Sequence, residues 1–260
     1  MGDLVSVIMP AYNTESYIGD AIASVLKQTY TNWELLVVDD ASTDQTAAVV
    51  ISFHDPRIKY LKMETNSGAA LCRNRALSEA KGHWVAFLDS DDTWHPEKLE
   101  KQIAFMENNH FFFSYTEYTE YSEEKGREVR LWSGPLKIGK KKMRFFNFMG
   151  CLTVMYDREY VGLIQVENLK KRNDYAMWLH VVKQAPAYLL QENLAVYHVR
   201  KKGNLTKKAL FSPDKLKYTY RLWRIGEHQN VLTATILTLW NIVGGVYKKI
   251  KYQKKIERKI

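Results

Sequence analysis

The sequence predicts an α/β protein: a mostly parallel central sheet flanked by helices, followed by a C-terminal helical extension. Three observations carry this. Short apolar, β-branched runs alternate with helix-period segments through the first hundred or so residues, an order that builds a sheet covered on both faces. The run Trp84-Val85-Ala86-Phe87-Leu88 lacks polar alternation, as a strand buried on both faces does. Beyond about residue 210 the pattern changes to apolar residues at helical spacing followed by clustered lysines.

Residues 4–9 are a β-branched run that ends at Pro10, and Ile18, Ile22, Val25 and Leu26 then repeat at helical spacing: strand, turn, helix. Residues 35–38 give a second buried run that stops at Asp39 and Asp40. Ser42 and Gln45 have capping-box spacing and predict a helix through Val50. A third strand over 58–61 leads to a helix over 68–80 carrying Arg73, and 84–88 is the central fourth strand. Pro96 suits the first turn of the next helix, whose inward face would be Leu99, Ile103 and Met106. The acidic, aromatic stretch 115–124 fits either a strand or a loop. The charge run 137–144 reads as a solvated loop or as a contact for a phosphate-bearing acceptor, and 194–200 reads as a late strand.

A chain of 260 residues holds one large α/β domain, or a compact one with an elaborated second half, and 46% hydrophobic residues suffice for its core. The net charge of +9 points to anionic partners. That charge is concentrated in the tail and no nucleic-acid-binding module accompanies it, which argues against nucleic acid. Cys72 and Cys151 are far apart and lack metal-ligand spacing, so neither a disulfide framework nor a zinc site is predicted. No charged segment and apolar run precede the first strand, so the expected location is cytoplasmic and the sequon at Asn204 is accidental.

The central strand ends in Asp89, Asp91 and Asp92, three carboxylates within four positions. Like charges this close repel, and a hard divalent cation, Mn²⁺ or Mg²⁺, is the usual remedy. A solvated acidic loop is the plain alternative. An EF-hand is excluded, because Trp94 stands where its sharp turn needs Gly and a strand precedes where a helix should. In open α/β sheets ligands bind outside the carboxyl ends of the strands, and residues 10–13, Asp39-Asp40 and 89–92 all fall at that edge. The turn after the first strand has no Gly-x-Gly-x-x-Gly, which argues against a dinucleotide site. Residues 134–141 fail as a P-loop because Lys141 replaces the metal-binding Ser or Thr. A nucleoside diphosphate fits what remains. Tyr12 can face a base, Asp40 can accept from a ring N–H, Arg73 can meet a phosphate, and a metal can bridge the diphosphate.

Four motifs in order carry a resemblance: Val5-Ser6-Val7-Ile8-Met9-Pro10-Ala11-Tyr12-Asn13, Val37-Val38-Asp39-Asp40-Ala41-Ser42-Thr43-Asp44, Asn66-Ser67-Gly68 with Arg73-Asn74, and Phe87-Leu88-Asp89-Ser90-Asp91-Asp92. They resemble the inverting family 2 glycosyltransferases with the GT-A fold, within which the chain looks most like bacterial enzymes of capsular or teichuronic-acid-type surface polysaccharides. The resemblance implies that Tyr12 and Asp40 hold uracil, with Pro10, Ala11 and Asn13 lining the nucleotide pocket and Arg73 near the nucleotide. Asp89-Ser90-Asp91 is similar to the DXD motif, in which Asp91 approaches the metal, Asp89 and Ser90 hold ribose and metal water, and Asp92 shares that work. Asp174 matches the general base at the head of a helix, and Asn173 departs from the family's Glu. Tyr197-His198-Val199-Arg200 resembles the end of the catalytic core. There His198 is a candidate third metal ligand, and Arg200 and Lys201 are candidates to clamp the diphosphate.

Residues 1–110 are therefore expected to form the nucleotide-sugar-binding half of one GT-A domain, 111–210 its acceptor-binding and catalytic half, and 211–260 an amphipathic, basic extension. Leu232, Ile236, Leu239, Trp240 and Val243 recur at helical spacing, with Thr235, Thr238 and Asn241 on another face. The window 231–246 is too short and too polar to predict a span. It runs into Lys248, Lys249, Lys251, Lys254, Lys255, Arg258 and Lys259, so 231–260 is suited to an anionic membrane surface on the cytoplasmic side. Packing on the catalytic domain or on a second subunit is the alternative reading. The expected function is metal-dependent transfer, with inversion, of a sugar from a nucleotide-diphosphate donor, UDP-linked, to a saccharide or polyprenyl-linked saccharide. Two rivals stay open. One is a sugar nucleotidyltransferase; the other is a nucleotide-sugar-binding scaffold without turnover, which Asn173 keeps alive. The sugar, the acceptor and the oligomeric state are not written in the sequence.

Overall fold

The computed structural model describes residues 2–200 and 212–256. In the first half the predicted alternation holds: β1 (Val5–Ala11), α1 (Ile18–Leu26), β2 (Trp33–Asp39), α2 (Thr46–Ile51), β3 (Ile58–Lys62), α3 (Ala69–Glu79) and β4 (Trp84–Phe87). β3, β2, β1 and β4 lie side by side and parallel, so β1 and β4 are central. Side chains alternate faces along these strands, and both faces are dry. Ile8, Val85 and Phe87 pack beneath α3 with Ala76 and Leu77. Val7, Met9, Ala86 and Leu88 pack on the other face with Ile22, Leu99, Ile103 and Met106.

The predicted cap at Ser42 and Gln45 does not form. Ser42 is drawn off by Asn13, whose amide donates to its hydroxyl at 2.9 Å, and Asp44 instead binds the amide and hydroxyl of Thr46 at 3.0 and 2.6 Å. Pro96 likewise stands before the helix rather than in it. It follows the two-residue β5 (Thr93–Trp94) and precedes α4 (Lys98–Asn109), which buries Leu99, Ile103 and Met106 as expected.

Past β4 the sheet turns mixed. β6 (Phe113–Ser122) resolves the ambiguous acidic stretch as a strand, and β7 (Arg127–Trp132) returns antiparallel beside it. The charge run 137–144 is not a loop: it makes the short β8 (Lys137–Ile138) and α5 (Lys140–Phe145), with Lys140, Lys141, Lys142 and Arg144 exposed. β9 (Met155–Asp157) inserts antiparallel between β4 and β6. α6 (Arg158–Val161), α7 (Asn173–Gln184) and β10 (Ala187–Val199) follow, and β10 pairs parallel with β6 through two register shifts. The predicted late strand thus starts seven residues earlier than residue 194, where bulges interrupt its alternation.

The C-terminal part contains α8 (Pro213–Arg221), a π-helical turn at Leu222–Gly226, α9 (Val231–Tyr252) and β11 (Gln253–Lys255). β11 pairs antiparallel with β7 and joins the main sheet, so the extension ends in a strand. Lys248, Lys249 and Lys251 belong to the last turns of α9, while Arg258 and Lys259 lie outside the described residues.

α9 is oriented against the usual rule. Its buried stripe is small and polar: Ala234, Thr238, Asn241, Gly244, Gly245 and Lys248. Its apolar residues face outward, with Leu232 72%, Leu239 57%, Trp240 56% and Val243 59% exposed. Close approach explains the inner face. Asn241 Nδ2 donates to the Phe145 carbonyl and to the Tyr175 hydroxyl, both at 3.0 Å, which ties α9 to α5 and α7. A Cβ at Gly244 would lie 2.6 Å from Phe146 Cβ and 2.9 Å from the Phe145 carbonyl oxygen. Gly244→Val should therefore cost about 1–3 kcal/mol of urea-unfolding stability by forcing α9 outward. Gly139→Ala, with nothing within 4 Å of its new Cβ, should stay within about 0.5 kcal/mol. Equal effects of the two would show that α9 is not docked as described.

Candidate active site

The carboxyl ends of β1, β2 and β4 converge at one edge, where the strands hand over to loops. Asn13 and Ala41 both take left-handed backbone there, with φ of 50° and 58°. Asn13 Oδ1 accepts from the Thr43 amide at 2.9 Å, so the turns after β1 and β2 brace each other. Pro10 and Ala11 close the strand, and the Tyr12 ring above them is 48% exposed, open to a planar ligand.

The adjacent aspartates divide the work. Asp39 is fully buried and structural: it accepts from the Ser42 amide at 2.9 Å and from the Tyr60 hydroxyl at 2.6 Å. Asp40 points its two oxygens at the amides of Ser67 and Gly68, at 2.6 and 2.8 Å, just before α3. Gly68 has a φ of 90°, which a residue with a side chain would resist. A carboxylate has about four acceptor sites, so Asp40 retains capacity for a ligand N–H.

At the end of β4 the four residues 89–92 form a tight turn in which the Asp92 amide donates to the Asp89 carbonyl at 3.1 Å. Ser90 is buried within it. Asp92 is 1% exposed; its Oδ1 accepts the His198 backbone amide at 2.9 Å, and its Oδ2 has no partner among the described residues. Burial, then the charges of Asp91 and Asp89, push the Asp92 carboxyl well up. Burial and the neighbouring Asp89 raise Asp91 to about 6.

Arg73, projecting from α3 and 5% exposed, answers part of this charge. One of its terminal nitrogens donates to Asp89 and the other to Asn173 Oδ1, so a single guanidinium joins the acidic turn to the head of α7. Asn173 makes the contact that a longer acid would make, without a second negative charge. Asp174 follows directly and is half-buried, with Asn147 Nδ2 donating to its Oδ2 at 3.4 Å. One turn on, Trp178 meets Phe87 of β4 edge-on at 4.9 Å, which fixes the height of α7 over the strand. The residue before α7, Arg172, takes φ of 68°, and such strain outside glycine tends to mark functional positions.

His198 faces this turn but does not complete a metal group with it. Its Nε2 meets the Thr93 hydroxyl at 3.1 Å, burial and Arg200 lower its basicity, and no three His, Cys, Asp or Glu side chains converge as a metal group among the described residues. Arg200 pairs with Glu123 at 2.6 Å, donates to the Asp91 carbonyl at 2.5 Å and covers the Tyr17 ring at 4.0 Å. In this state it shapes the acidic turn. Lys201 lies outside the described residues. Asn147, which carries no motif, is a contact of Asp174 that the sequence does not reveal.

Asp89, Asp91 and the orphaned Asp92 oxygen are hard oxygen donors by type, the type taken by an ion that uses one or two carboxylates and completes its shell with substrate phosphates and water, although they do not form a metal group of three among the described residues.

Comparison with known proteins identifies the family. Residues 6–158 match the family model described as glycosyl transferase family 2. The chain is 43% identical over 199 residues to a protein of Bacillus subtilis (strain 168) named as a teichuronic acid biosynthesis glycosyltransferase, TuaG, covering 75% of this chain and 79% of that one. It is 40% identical over 250 residues, 94% of each chain, to the Escherichia coli UDP-Glc:alpha-D-GlcNAc-diphosphoundecaprenol beta-1,3-glucosyltransferase WfgD. The crystal structure of S. aureus TarS 1-349 in complex with UDP-GlcNAc superposes with a TM-score of 0.68 at 22% identity, covering 95% of this chain and 72% of that one, a likeness of fold.

The raised Asp91 carboxyl carries a measurable sign. A carboxyl that holds its proton to about 6 in the native state favours folding below the ordinary carboxylate range, and that contribution is lost as pH rises through 6. Without divalent cation, the stability of Asp91→Asn relative to wild type should thus rise by roughly 1–2 kcal/mol from pH 4 to pH 7 in urea titrations. A difference that is flat with pH would contradict the crowding of charge in this turn.

Proposed function

The chain belongs to glycosyl transferase family 2 and is a glycosyltransferase; on that premise we propose that it moves a sugar from UDP to a lipid-linked saccharide, with inversion, in surface polysaccharide assembly. The observation that carries the reading is the Arg73 bridge, which joins the acidic turn of β4 to Asn173, the residue directly before Asp174. Donor binding and proton removal need that proximity. The relatives' names, a teichuronic acid biosynthesis glycosyltransferase and a glucosyltransferase using UDP-Glc and a diphosphoundecaprenol-linked acceptor, support the donor and acceptor classes.

In this reading residues 1–110 bind the donor, 111–210 bind the acceptor and supply the base, and the extension 211–260 attaches the enzyme to the membrane through 231–260. Tyr12 stacks on uracil, with Pro10, Ala11 and Asn13 around it, and Asp40 accepts from the ring N–H. Asp89 and Ser90 hold ribose. Asp174 takes the proton of the acceptor hydroxyl as its oxygen attacks the anomeric carbon from the face opposite UDP. The bond from that carbon to the diphosphate breaks, and its electron pair leaves with UDP. Asp91 and Asp89 would hold a Mn²⁺ or Mg²⁺ ion, which supplies charge neutralisation for the departing diphosphate. Arg200 stands next to Asp91 and can turn from Glu123 to a phosphate. His198 in this account fixes Asp92 through its backbone and leaves the metal to the carboxylates. The scaffold alternative rested on Asn173, and that residue keeps its contact with Arg73.

The outward apolar stripe of α9 lies along the exposed bases of α5, with Arg144, Lys141, Ile236 and Trp240 lining one groove. An apolar face bordered by cations suits the interface of an anionic bilayer. On vesicles of phosphatidylglycerol the protein should sediment, should do so less at high salt, and should lose binding on Trp240→Glu with Val243→Glu. Equal sedimentation of that variant would sink the membrane reading.

Donor and base are tested together by thermal unfolding with UDP, GDP, ADP and dTDP, each with Mn²⁺ or EDTA. Saturating UDP at about 100 times its dissociation constant stabilises by about 2.7 kcal/mol, a rise of several degrees. UDP with Mn²⁺ is expected to act alone among these, and Asp174→Asn to keep that rise while losing turnover by about 10²-fold or more. A rise with GDP would displace the uracil assignment, and turnover retained by Asp174→Asn would remove the base.

A further inference from the structure

Asn74 belongs to the Arg73-Asn74 motif, yet the transfer reaction as described gives it no part. Both arms of its side chain are engaged. Nδ2 donates to the Val166 carbonyl at 2.7 Å and Oδ1 accepts the Val166 amide at 3.0 Å, so the carboxamide exchanges both bonds with that residue as a paired strand would. The partner segment needs them. Residues 162–172, between α6 and α7, form neither helix nor strand and have no ladder of their own to satisfy their amides and carbonyls. Gln165 adds a second tie, its Nε2 donating to the Asn74 backbone carbonyl at 3.0 Å and to the Ser78 hydroxyl at 3.3 Å.

Further along, the same helix takes hold again. Arg73, the residue before Asn74, reaches Asn173 Oδ1, while Asn173 Nδ2 donates to the Leu169 carbonyl at 3.1 Å and folds the segment back onto the first turn of α7. Val166 and Leu169 are buried. Two successive residues of α3 thus grip the two ends of a strap, residues 166–173, and Asp174 is the next residue in the chain. Between the grips, Asn168 Oδ1 lies 3.7 Å from where a Cβ on Gly68 would stand, and the Gly68 amide is one of the two that bind Asp40. The strap therefore runs from the nucleotide side of the edge to the base.

We infer that Asn74 is a positioning residue for the transfer: by clamping Val166 it sets, through the strap, where Asp174 stands relative to the acidic turn of β4. The inference rests on Asp174 being the base. Arg73 fixes only the first residue of α7, and the backbone leading into it is free to shift unless Val166 is held as well. The second hold comes from the same rigid helix, so the two points keep one spacing. A misplacement of about 1 Å can cost about 10²-fold in rate. The donor contacts at Tyr12, Asp40 and the β4 turn do not pass through Val166, so loss of the clamp is felt in turnover and not in donor affinity.

The test is Asn74→Ala, with Arg75→Ala, which loses only an exposed pair with Glu79, as the control on the same helix. Turnover is read as UDP released from UDP-glucose with GlcNAc-diphosphoundecaprenol in detergent, and the strap as amide hydrogen exchange over 164–174 with UDP and Mn²⁺ bound. Asn74→Ala should keep the UDP rise in unfolding midpoint and the KM for UDP-glucose, lose about 10- to 100-fold in kcat, and exchange faster in the strap. Arg75→Ala should match wild type throughout. A kcat equal to that of wild type, or strap exchange no faster, overturns the inference. So does a fall in kcat that comes with loss of the UDP rise, which is what damage to the fold alone would give. Failure of the underlying reading shows separately: wild type would release no UDP, or Asp174→Asn would keep its turnover.

Discussion

One buried guanidinium holds this site together. Arg73 leaves α3 and reaches two elements at once: the acidic turn after β4 and the first residue of α7. A buried cation is costly unless its donors are met; here the two terminal nitrogens are committed to Asp89 and Asn173, while Nε has no partner among the described residues. Had the second partner been another acid, the turn would carry more negative charge around an arginine already shared. Asn173 supplies an acceptor without adding to it. The link between the β4 turn and the head of α7 is thereby kept without a further negative charge.

The fold was legible where burial on both faces leaves a plain signature. β1, β2 and β4 read as largely apolar runs because neither of their faces meets water, and the carboxylates that stop β2 and β4 mark the edge where they cease to be covered. The strands beyond β4 were harder to see. β6 carries alternating acids and aromatics on a half-open surface, and β10 loses its alternation at two bulges. The failed cap at Ser42 has a similar origin: a local pattern lost to a partner twenty-nine residues away in sequence.

α9 shows what periodicity alone withholds. Spacing identified its apolar stripe and its polar stripe, but a helical wheel does not say which of the two meets the protein. Close contact with Phe145 and Phe146 decided it, because only glycines and small polar groups fit that approach. Lys248 was illegible for the same reason. In a run of lysines one buried member looks like the rest, and its identity depends on Trp132 and Phe146, which lie about a hundred residues away.

β11 gives the end of the chain a further role. Ser133 donates to the Tyr252 carbonyl at 2.9 Å and Ile256 to that of Val129 at 3.1 Å, so the segment after α9 is zipped along β7. Without it β7 would be the bare margin of the sheet, a row of unsatisfied amides and carbonyls able to recruit a strand from another molecule. Lys254 and Lys255 now occupy that margin, and their charge discourages further strand addition. The chain thus covers the β7 margin of its own sheet, and because α9 is stitched at its far end, a pull on the helix is borne by the backbone ladder rather than by side-chain packing alone.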